Sequence, residues 1–94
     1  MERKYELLTD QSKEFHNTTV YRIRALRDIN DSIKKGDFGG YIESENNLSH
    51  EGTCWVDDAA IVCEKARVKD NAMVYGNPKI YGHAIIADNA VVSA

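Results

Sequence analysis

Proline is almost absent from this sequence, cysteine occurs twice, and no apolar run approaches the roughly 20 residues that a membrane-spanning helix needs. The opening segment from Met1 to Tyr5 is charged and no apolar stretch follows it, so we expect no secretory leader. These absences favour a cytoplasmic protein without a membrane segment. A chain of 94 residues forms one compact unit and buries only about 60 to 65% of its unfolded surface, so a partner or a self-contact would add stability.

Lysine and arginine are also absent between Lys35 and Lys65. That interval holds seven carboxylates, here called the acidic band: Asp37, Glu43, Glu45, Glu51, Asp57, Asp58 and Glu64. The band carries −7, so the remainder of a chain with net charge −3 carries +4. Such a band would repel nucleic acid and attract a basic protein surface, including one that evolved to hold phosphates. Ordinary solvated surface, with aspartates that form turns, is the alternative.

Basic residues cluster before the acidic band. They are Arg22, Arg24, Arg27, Lys34 and Lys35. A solvated strand face explains this cluster better than a nucleotide or RNA site does. No phosphate-binding loop is present, and Gly39-Gly40 indicates a turn. Direct nucleic-acid binding is therefore disfavoured.

From Cys54 to Val92 the sequence repeats every six residues. An aliphatic residue recurs at Val56, Val62, Val68, Val74, Ile80, Ile86 and Val92. A small residue stands two positions before each of them: Cys54, Ala60, Ala66, Ala72, Pro78, Ala84 and Ala90. Neither an alternating strand nor an amphipathic helix has a period of six, so the pattern predicts a solenoid in which three hexads, about 18 residues, close one triangular coil around the aliphatic side chains.

A turn pair follows most of the aliphatic positions. The pairs are Asp58-Ala59, Glu64-Lys65, Asp70-Asn71, Gly76-Asn77, Gly82-His83 and Asp88-Asn89. The corners of such a coil need backbone conformations with φ > 0, which glycine and asparagine tolerate best. The pattern therefore predicts positive φ at the glycines and asparagines of these pairs.

Two phrases, Asp70 to Val74 and Val74 to Ala84, resemble the hexapeptide-repeat family, whose fold is a left-handed parallel β-helix. The segment from Gly36 to Gly52 is similar to the lead-in of small hexapeptide-repeat proteins carried by phages and prophages, with Asn46 where Asp would be expected. The resemblance covers residues 19–94. It implies an all-β fold with a short left-handed β-helix of about two to three rungs, and a source in a phage.

The N-terminal segment, residues 1–45, predicts a β-rich cap on a repeat domain of residues 46–94. The pattern predicts a first strand at Lys4 to Leu8, a polar loop at residues 9–18 and a second strand at Thr19 to Arg27. The two strands could pair as an antiparallel hairpin. Residues 28–40 are rich in turn formers. A cap is needed because an uncovered first coil would expose unpaired backbone groups and valines.

The far end of the repeats predicts self-association. The hexads run to Val92 with no second cap, and seven of them make little more than two coils, so open ends could stack tail to tail. The alternative is that the last residues fray in solvent and that one cap suffices.

An outer apolar face gives a second reason to expect association. Trp55, Met73 and Val91 fall on one face of the predicted coil, with Tyr75 beside Met73, and monomers seldom expose such a patch. Either the face is an interface in a homo-oligomer, a dimer or trimer, or the N-terminal segment covers it. The residues that would cover it are Tyr21, Ile23 and Leu26.

No catalytic, cofactor or metal site is predicted. The resemblance implies acyltransferases as the best-known activity, in which a histidine near the coil acts as general base and acetyl-CoA lies between subunits. His83 occupies a corner that carries asparagine in other hexads, and no nucleophile or carboxylate can be assigned to His50. His16 lies in a loop, and the three histidines lack metal-ligand spacing. Cys54 and Cys63 fall inward and outward on different hexads, which predicts free thiols.

Three functional hypotheses follow, in this order. The first is a non-catalytic, phage-encoded protein that occupies a host protein through the acidic band or the apolar face, for example as an inhibitor of a nucleic-acid-handling defence complex such as CRISPR. The second is a structural subunit that self-assembles, ranked narrowly below the first. The third is a reduced acyltransferase-like protein that binds acetyl-CoA and requires His50 or His83.

Overall fold

The computed structural model describes residues 3–94 and confirms the prediction of an all-β protein. Within residues 3–94 the only helical element is a short 3₁₀ turn at Glu45–Asn47, and no helix is long and apolar enough to cross a membrane. The strands of the described part are β1 Tyr5–Phe15, β2 Thr18–Ala25, β3 Phe38–Ile42, β4 Trp55–Val56, β5 Ile61–Val62, β6 Arg67–Val68, β7 Met73–Tyr75, β8 Lys79–Ile80, β9 Ile85–Ile86 and β10 Val91–Ser93.

The short strands of the repeat pair in parallel with the strand three hexads later. Val56 of β4 lies opposite Val74 of β7, which lies opposite Val92 of β10. The pairs β5 with β8 and β6 with β9 keep the same spacing, since Ile61 faces Lys79 and Arg67 faces Ile85. The chain therefore returns beside itself every 18 residues, and we call each such turn a coil.

The repeated aliphatic side chains form the core, but their burial decreases along the chain. Val56, Val62, Val68 and Val74 are fully or almost fully buried. Ile80 is 8% exposed, while Ile86 and Val92 are only partly buried. Ala60, Ala66 and Ala72 of the small positions are buried as well, whereas Ala84 and Ala90 are exposed. The last coil is thus the least covered part of the repeat.

An additional layer of the core precedes the recognisable hexads. Ile42 of β3 lies opposite Val62, and Leu48 forms a parallel bridge with Val68, so these contacts are offset by 20 residues rather than 18. Both side chains are completely buried. Together with Val56 they make a first coil that the six-residue period does not reveal.

Gly39 and Gly40 lie inside β3, so the prediction of a turn there was wrong. A Cβ atom on Gly39 would lie 2.6 Å from the Val56 carbonyl oxygen, and one on Gly40 would lie 2.7 Å from the Ala60 carbonyl oxygen. Such distances leave no room for any side chain. The two glycines are therefore needed because the backbone of residues 56–60 approaches β3 closely.

The N-terminal segment forms the predicted antiparallel hairpin, but without the predicted long loop. β1 continues to Phe15, and a two-residue turn of His16 and Asn17, with φ of 50° and 63°, leads into β2. The register shifts between Leu8 and Ser12. Beyond this shift the hairpin tip packs on the outside of the coils, since Phe15 and Val20 belong to a small cluster with Ile61.

The N-terminal segment contacts the first coil at three places. β2 pairs with β3, so the first sheet runs β1-β2-β3-β5-β8 across both predicted regions. The Tyr5 hydroxyl donates to the Leu48 carbonyl at 2.5 Å, and the Lys4 ammonium donates to the Cys54 carbonyl at 2.7 Å. The N-terminal segment therefore satisfies the backbone of the first coil with one strand and two side chains.

Candidate interaction surface

Carboxylates of the acidic band hold the corners of the coils. Asp58 and Glu64 are themselves the corner residues, with φ of 58° each. A side-chain oxygen of Asp58 accepts the Gly76 N–H, and one of Glu64 accepts the Gly82 N–H, both at 2.9 Å. Asp70, which lies outside the band, accepts the backbone N–H of Asp88, 18 residues later, in the same way. In these three turn pairs the carboxylate of the first residue thus braces the corner of the next coil.

These contacts correct the expected corner geometry. Within the described residues, positive φ occurs at the first residue of five turn pairs besides Asp58: Glu64, Asp70, Gly76, Gly82 and Asp88. The prediction of positive φ at Asn71, Asn77 and Asn89 was wrong. At Asp58, Glu64 and Asp70 the left-handed conformation is stabilised because the carboxylate accepts a backbone N–H of the following coil. Asp88 is the donor in the last of these contacts.

The remaining carboxylates of the band differ in their exposure and in their hydrogen-bond partners. Glu43 accepts the Glu64 N–H at 2.6 Å, and Asp37 accepts the Lys34 N–H at 2.8 Å. Asp57 is partly buried, and this burial raises the pKa of its carboxyl group. Glu51 is exposed. Four of the seven carboxylates, counting Asp58 and Glu64, therefore bind backbone N–H groups while they contribute negative charge to the surface.

Glu45 joins a cluster that fixes the orientation of His50. His50 stacks on Tyr5 with ring centroids 4.2 Å apart, and its Nδ1 accepts the backbone N–H of Lys4 at 3.1 Å. The proton must then reside on Nε2, which donates to a Glu45 carboxylate oxygen at 2.6 Å. This hydrogen bond, together with Arg3 at 3.4 Å, lowers the pKa of Glu45. Both ring nitrogens of His50 are thus occupied.

The other two histidines have no such partners around them. His16 lies in the hairpin turn, where it stacks on Phe15 at 4.1 Å and meets the edge of Tyr81. His83 is exposed at a corner of the last coil. Residues 3–94 contain no group of three or more histidine, cysteine or acidic side chains that could hold a metal ion.

The basic cluster is only partly a free surface. Arg24 forms an ion pair with Glu6 of the neighbouring strand. Arg22 lies over the Phe38 ring at 5.3 Å and donates to the Gly39 carbonyl at 3.2 Å. Lys34 and Lys35 are exposed in the loop before β3.

Trp55 is completely buried within the chain, so at this residue the N-terminal segment covers the apolar face, which is the second of the two alternatives. The Tyr5 ring meets Trp55 edge-on at 6.4 Å, and Ile23, Ile29 and Ile33 share its buried cluster. Of the residues expected to cover this face, Ile23 lies in that cluster. The loop between β2 and β3 supplies the two further isoleucines, which the sequence pattern did not associate with the repeat.

The apolar surface that remains exposed is concentrated around the last coil. Met73 is partly buried, whereas Tyr75 and Val91 from the predicted face are 41% and 61% exposed. Tyr81 and Ile85 are 51% and 62% exposed. We call Tyr75, Tyr81, Ile85 and Val91 the apolar rim. The adjacent strands β8, β9 and β10 each lie at the edge of their sheet, so they present backbone hydrogen-bonding groups next to the rim.

Both cysteines are buried free thiols. Cys63 does point outside the coil, as predicted, but β2 covers it through Val20, and burial raises the pKa of its thiol. Cys54 lies inside, beside the buried ammonium of Lys4. Lys4 was missed by sequence reasoning because nothing in a charged N-terminal segment indicates that one lysine will be enclosed.

The chain has no match in the two comparisons with known proteins. No protein-family model matches it, and no curated protein matches it either. Function must therefore be argued from the geometry of the surface.

Proposed function

We propose that this chain is a short left-handed parallel β-helix of the hexapeptide-repeat kind, and that it acts as a non-catalytic interaction protein which binds a second copy of itself through the apolar rim. The observation that carries the proposal is the position of the exposed apolar side chains. Of the five large ones exposed among residues 3–94, four lie between Tyr75 and Val91. The parallel pairing at 18-residue intervals supports the β-helix, because three strands per coil at that spacing are what hexapeptide repeats would form.

The rim fits another protein surface better than it fits water. Large exposed apolar side chains often mark contact sites, and here they lie on or beside edge strands that offer unpaired backbone groups. A second copy would present the same combination, so the contact would be self-complementary. It would bury the partly exposed Ile86 and Val92 together with the rim.

A non-catalytic role is supported by the state of the histidines. His50 could act as a general base only after it lost the backbone N–H of Lys4 or the bond to Glu45, because each occupies one ring nitrogen. His83 stands on an exposed corner and has no hydrogen-bond partner within residues 3–94, whereas a general base needs a group that orients it. An acetyl-CoA titration that gave saturable binding would reopen the acyltransferase interpretation.

Sedimentation velocity over a range of protein concentrations tests the proposal. We expect the wild-type chain to associate, and we expect Ile85→Lys and Val91→Lys to shift it towards the monomer, since each places a charge in the contact. Phe38→Lys is the matched control, because Phe38 is 48% exposed but lies in β3, away from the rim. A wild-type chain that stays monomeric at every concentration, or equal losses for all three variants, would contradict self-association through the rim.

A second candidate function rests on charge. The acidic band carries −7 in a chain of net charge −3, and a band of this kind favours contact with a basic protein surface. Under this proposal the chain is phage-encoded and occupies a host protein, such as a nucleic-acid-handling defence complex. Four carboxylates of the band bind backbone N–H groups, three of them at corners and Asp37 in the loop before β3. Structural support is therefore a sufficient explanation for much of the band, which is why this candidate comes second.

The test of this second candidate uses an acidic residue that supports no corner. Glu51→Lys reverses an exposed charge inside the band, and Asp10→Lys makes the same change on the exposed part of β1 outside it. Capture of a basic protein that is sensitive to salt and to Glu51→Lys, but not to Asp10→Lys, would support it. Equal capture by both variants would count against the band.

A further inference from the structure

Lys4 is a charged side chain enclosed completely by the protein. Its exposed fraction is 0%, although lysine is seldom fully buried. The ammonium nitrogen lies 2.7 Å from the Cys54 carbonyl oxygen, and the Glu51 and Gly52 carbonyl oxygens each lie at 3.4 Å. The amine is therefore held in one place by the backbone of a bend rather than by a carboxylate.

The fourth neighbour of this amine is the Cys54 thiol. The distance from Lys4 Nζ to Cys54 Sγ is 3.2 Å, and both residues are 0% exposed. The other partners of the sulfur are backbone carbonyl oxygens at longer range, of which Ser49 is the nearest at 3.5 Å. A nucleophilic nitrogen and an oxidisable sulfur are thus fixed in contact, which is the arrangement that an intramolecular reaction requires.

Packing alone does not explain why a cysteine stands at this position. The equivalent small position of the other hexads is filled by alanine five times and by Pro78 once. Alanine is buried at Ala60, Ala66 and Ala72, so a methyl group satisfies the same site in the next coils. Of the seven small positions, the one whose residue contacts Lys4 is the one that carries sulfur.

We propose that Lys4 and Cys54 form an oxidative modification site, at which a peroxide drives formation of a covalent sulfur–nitrogen bond between the N-terminal strand and the first hexad. The modification would link residues 50 positions apart in the sequence. It would fasten the cap to the coils by a bond that reducing agents can reverse.

The reaction balances with hydrogen peroxide as the oxidant. In the first step the thiolate attacks one peroxide oxygen and the O–O bond breaks, which gives a sulfenic acid on Cys54 and a hydroxide that takes up the proton lost from the thiol to become water. Sulfur is oxidised and peroxide is reduced. In the second step the neutral amine of Lys4 attacks the sulfur, the S–O bond breaks, and the hydroxyl leaves as water with a proton from the amine. The net change is one thiol, one amine and one peroxide converted to one sulfenamide and two waters.

Two features favour these steps. Burial lowers the pKa of Lys4, which increases the fraction of neutral amine that can attack. Residues 51–53, just before Cys54, are exposed and form a bend, so a small oxidant has only this short segment between solvent and the sulfur. The link would also restrict the unfolded chain by closing a long loop, which raises stability.

Mass spectrometry of the intact protein tests the proposal directly. After treatment with hydrogen peroxide we expect the wild-type mass to fall by two hydrogens, and peptide mapping should recover one linked species that contains residues 4 and 54. Incubation with a thiol reductant should restore the original mass. The linked protein should also unfold at a higher urea concentration than the reduced protein.

Three variants separate this site from other oxidation. Cys63→Ala should still form the link, whereas Cys54→Ala should not, and it should fold because alanine occupies the same position in other hexads. Lys4→Met should stop at oxygen addition to Cys54. The proposal is overturned if the two-hydrogen loss requires Cys63, if Cys54 gains oxygen without a link in the wild type, or if the linked peptide retains an oxygen.

Discussion

Truncation of Val74 to alanine should destabilise the protein much more than the same truncation of Val92. Val56, Val74 and Val92 form one column of the core, since each lies opposite the next in β4, β7 and β10. The first two are 0% exposed, and Val92 is only partly buried. The three substitutions are chemically identical, so differences between them measure how well each coil is covered.

The expected sizes follow from burial. Removing two buried carbons costs about 1.6 kcal/mol at roughly 0.8 kcal/mol for each. The cavity that remains raises the total to about 2–3 kcal/mol at Val56 and Val74. At Val92 we expect a loss below about 1 kcal/mol, because less area is buried and the open side can relax. Stabilities of small domains are only about 5–15 kcal/mol, so the difference is large.

Urea unfolding measures these losses. The single tryptophan, Trp55, is completely buried beside the column and reports unfolding by fluorescence. With a slope of about 1–3 kcal/mol per molar urea, the midpoint should fall by roughly 1–2 M for Val56→Ala and Val74→Ala. The measurement is made at a concentration where the chain is monomeric. A loss at Val92 equal to that at Val74 under these conditions would refute the conclusion that the last coil is open.

Three further predictions concern the backbone and the charges. Gly40→Ala should destabilise the protein strongly, because the added Cβ would lie 2.7 Å from a carbonyl oxygen. Gly82→Ala would have nothing within 4 Å of its Cβ, so it should cost only the free energy of a left-handed φ, about 1–2 kcal/mol. Thermal melts compare the two variants. Val74→Asp should abolish the β signal in circular dichroism, since it buries an unpaired charge; a native spectrum would contradict this. Glu45→Gln should make stability fall less steeply in acid. The His50 hydrogen bond lowers the pKa of Glu45 below its usual 4.5, so the stability that the ionised carboxylate contributes is present above pH 4.5 and is lost as the pH falls through the pKa of the folded state. Urea midpoints measured from neutral to acidic pH would contradict this if the two acid limbs coincide.

The period of six predicted the inner column and the interval between paired strands because the hexad is repeated seven times. Ile42 and Leu48 belong to the same core but escaped detection, since their pairing interval is 20 and a 3₁₀ turn lies between them. A single coil of irregular length has no period to recognise. Repetition, rather than hydrophobicity, was the useful signal.

Contacts between distant segments could not be predicted from the pattern. The hexad places Trp55 on the outside of the coil, and the sequence left open whether an interface or the N-terminal segment covers it. The cover includes Tyr5, 50 residues earlier, and the loop before β3, neither of which belongs to the repeat. The corner carboxylates depend on an N–H of the next coil, which a single hexad does not contain. The acidic band could therefore be located in the sequence, but its division between corner support and free charge could not.

The two ends of the coils differ in a way that restricts how copies can assemble. On the first coil, β2 pairs with β3, while Tyr5 and Lys4 donate to the carbonyl groups of Leu48 and Cys54. A head-to-tail filament needs both ends free, because each copy must present one end to the next. Among residues 3–94 the apolar rim accompanies the edge strands of the last coil alone, so under the proposed self-association contacts at that end would pair like with like and close after two copies. The measured mass should accordingly approach twice that of the monomer and stop there as concentration rises, and continued growth would mean that the N-terminal segment had left the first coil.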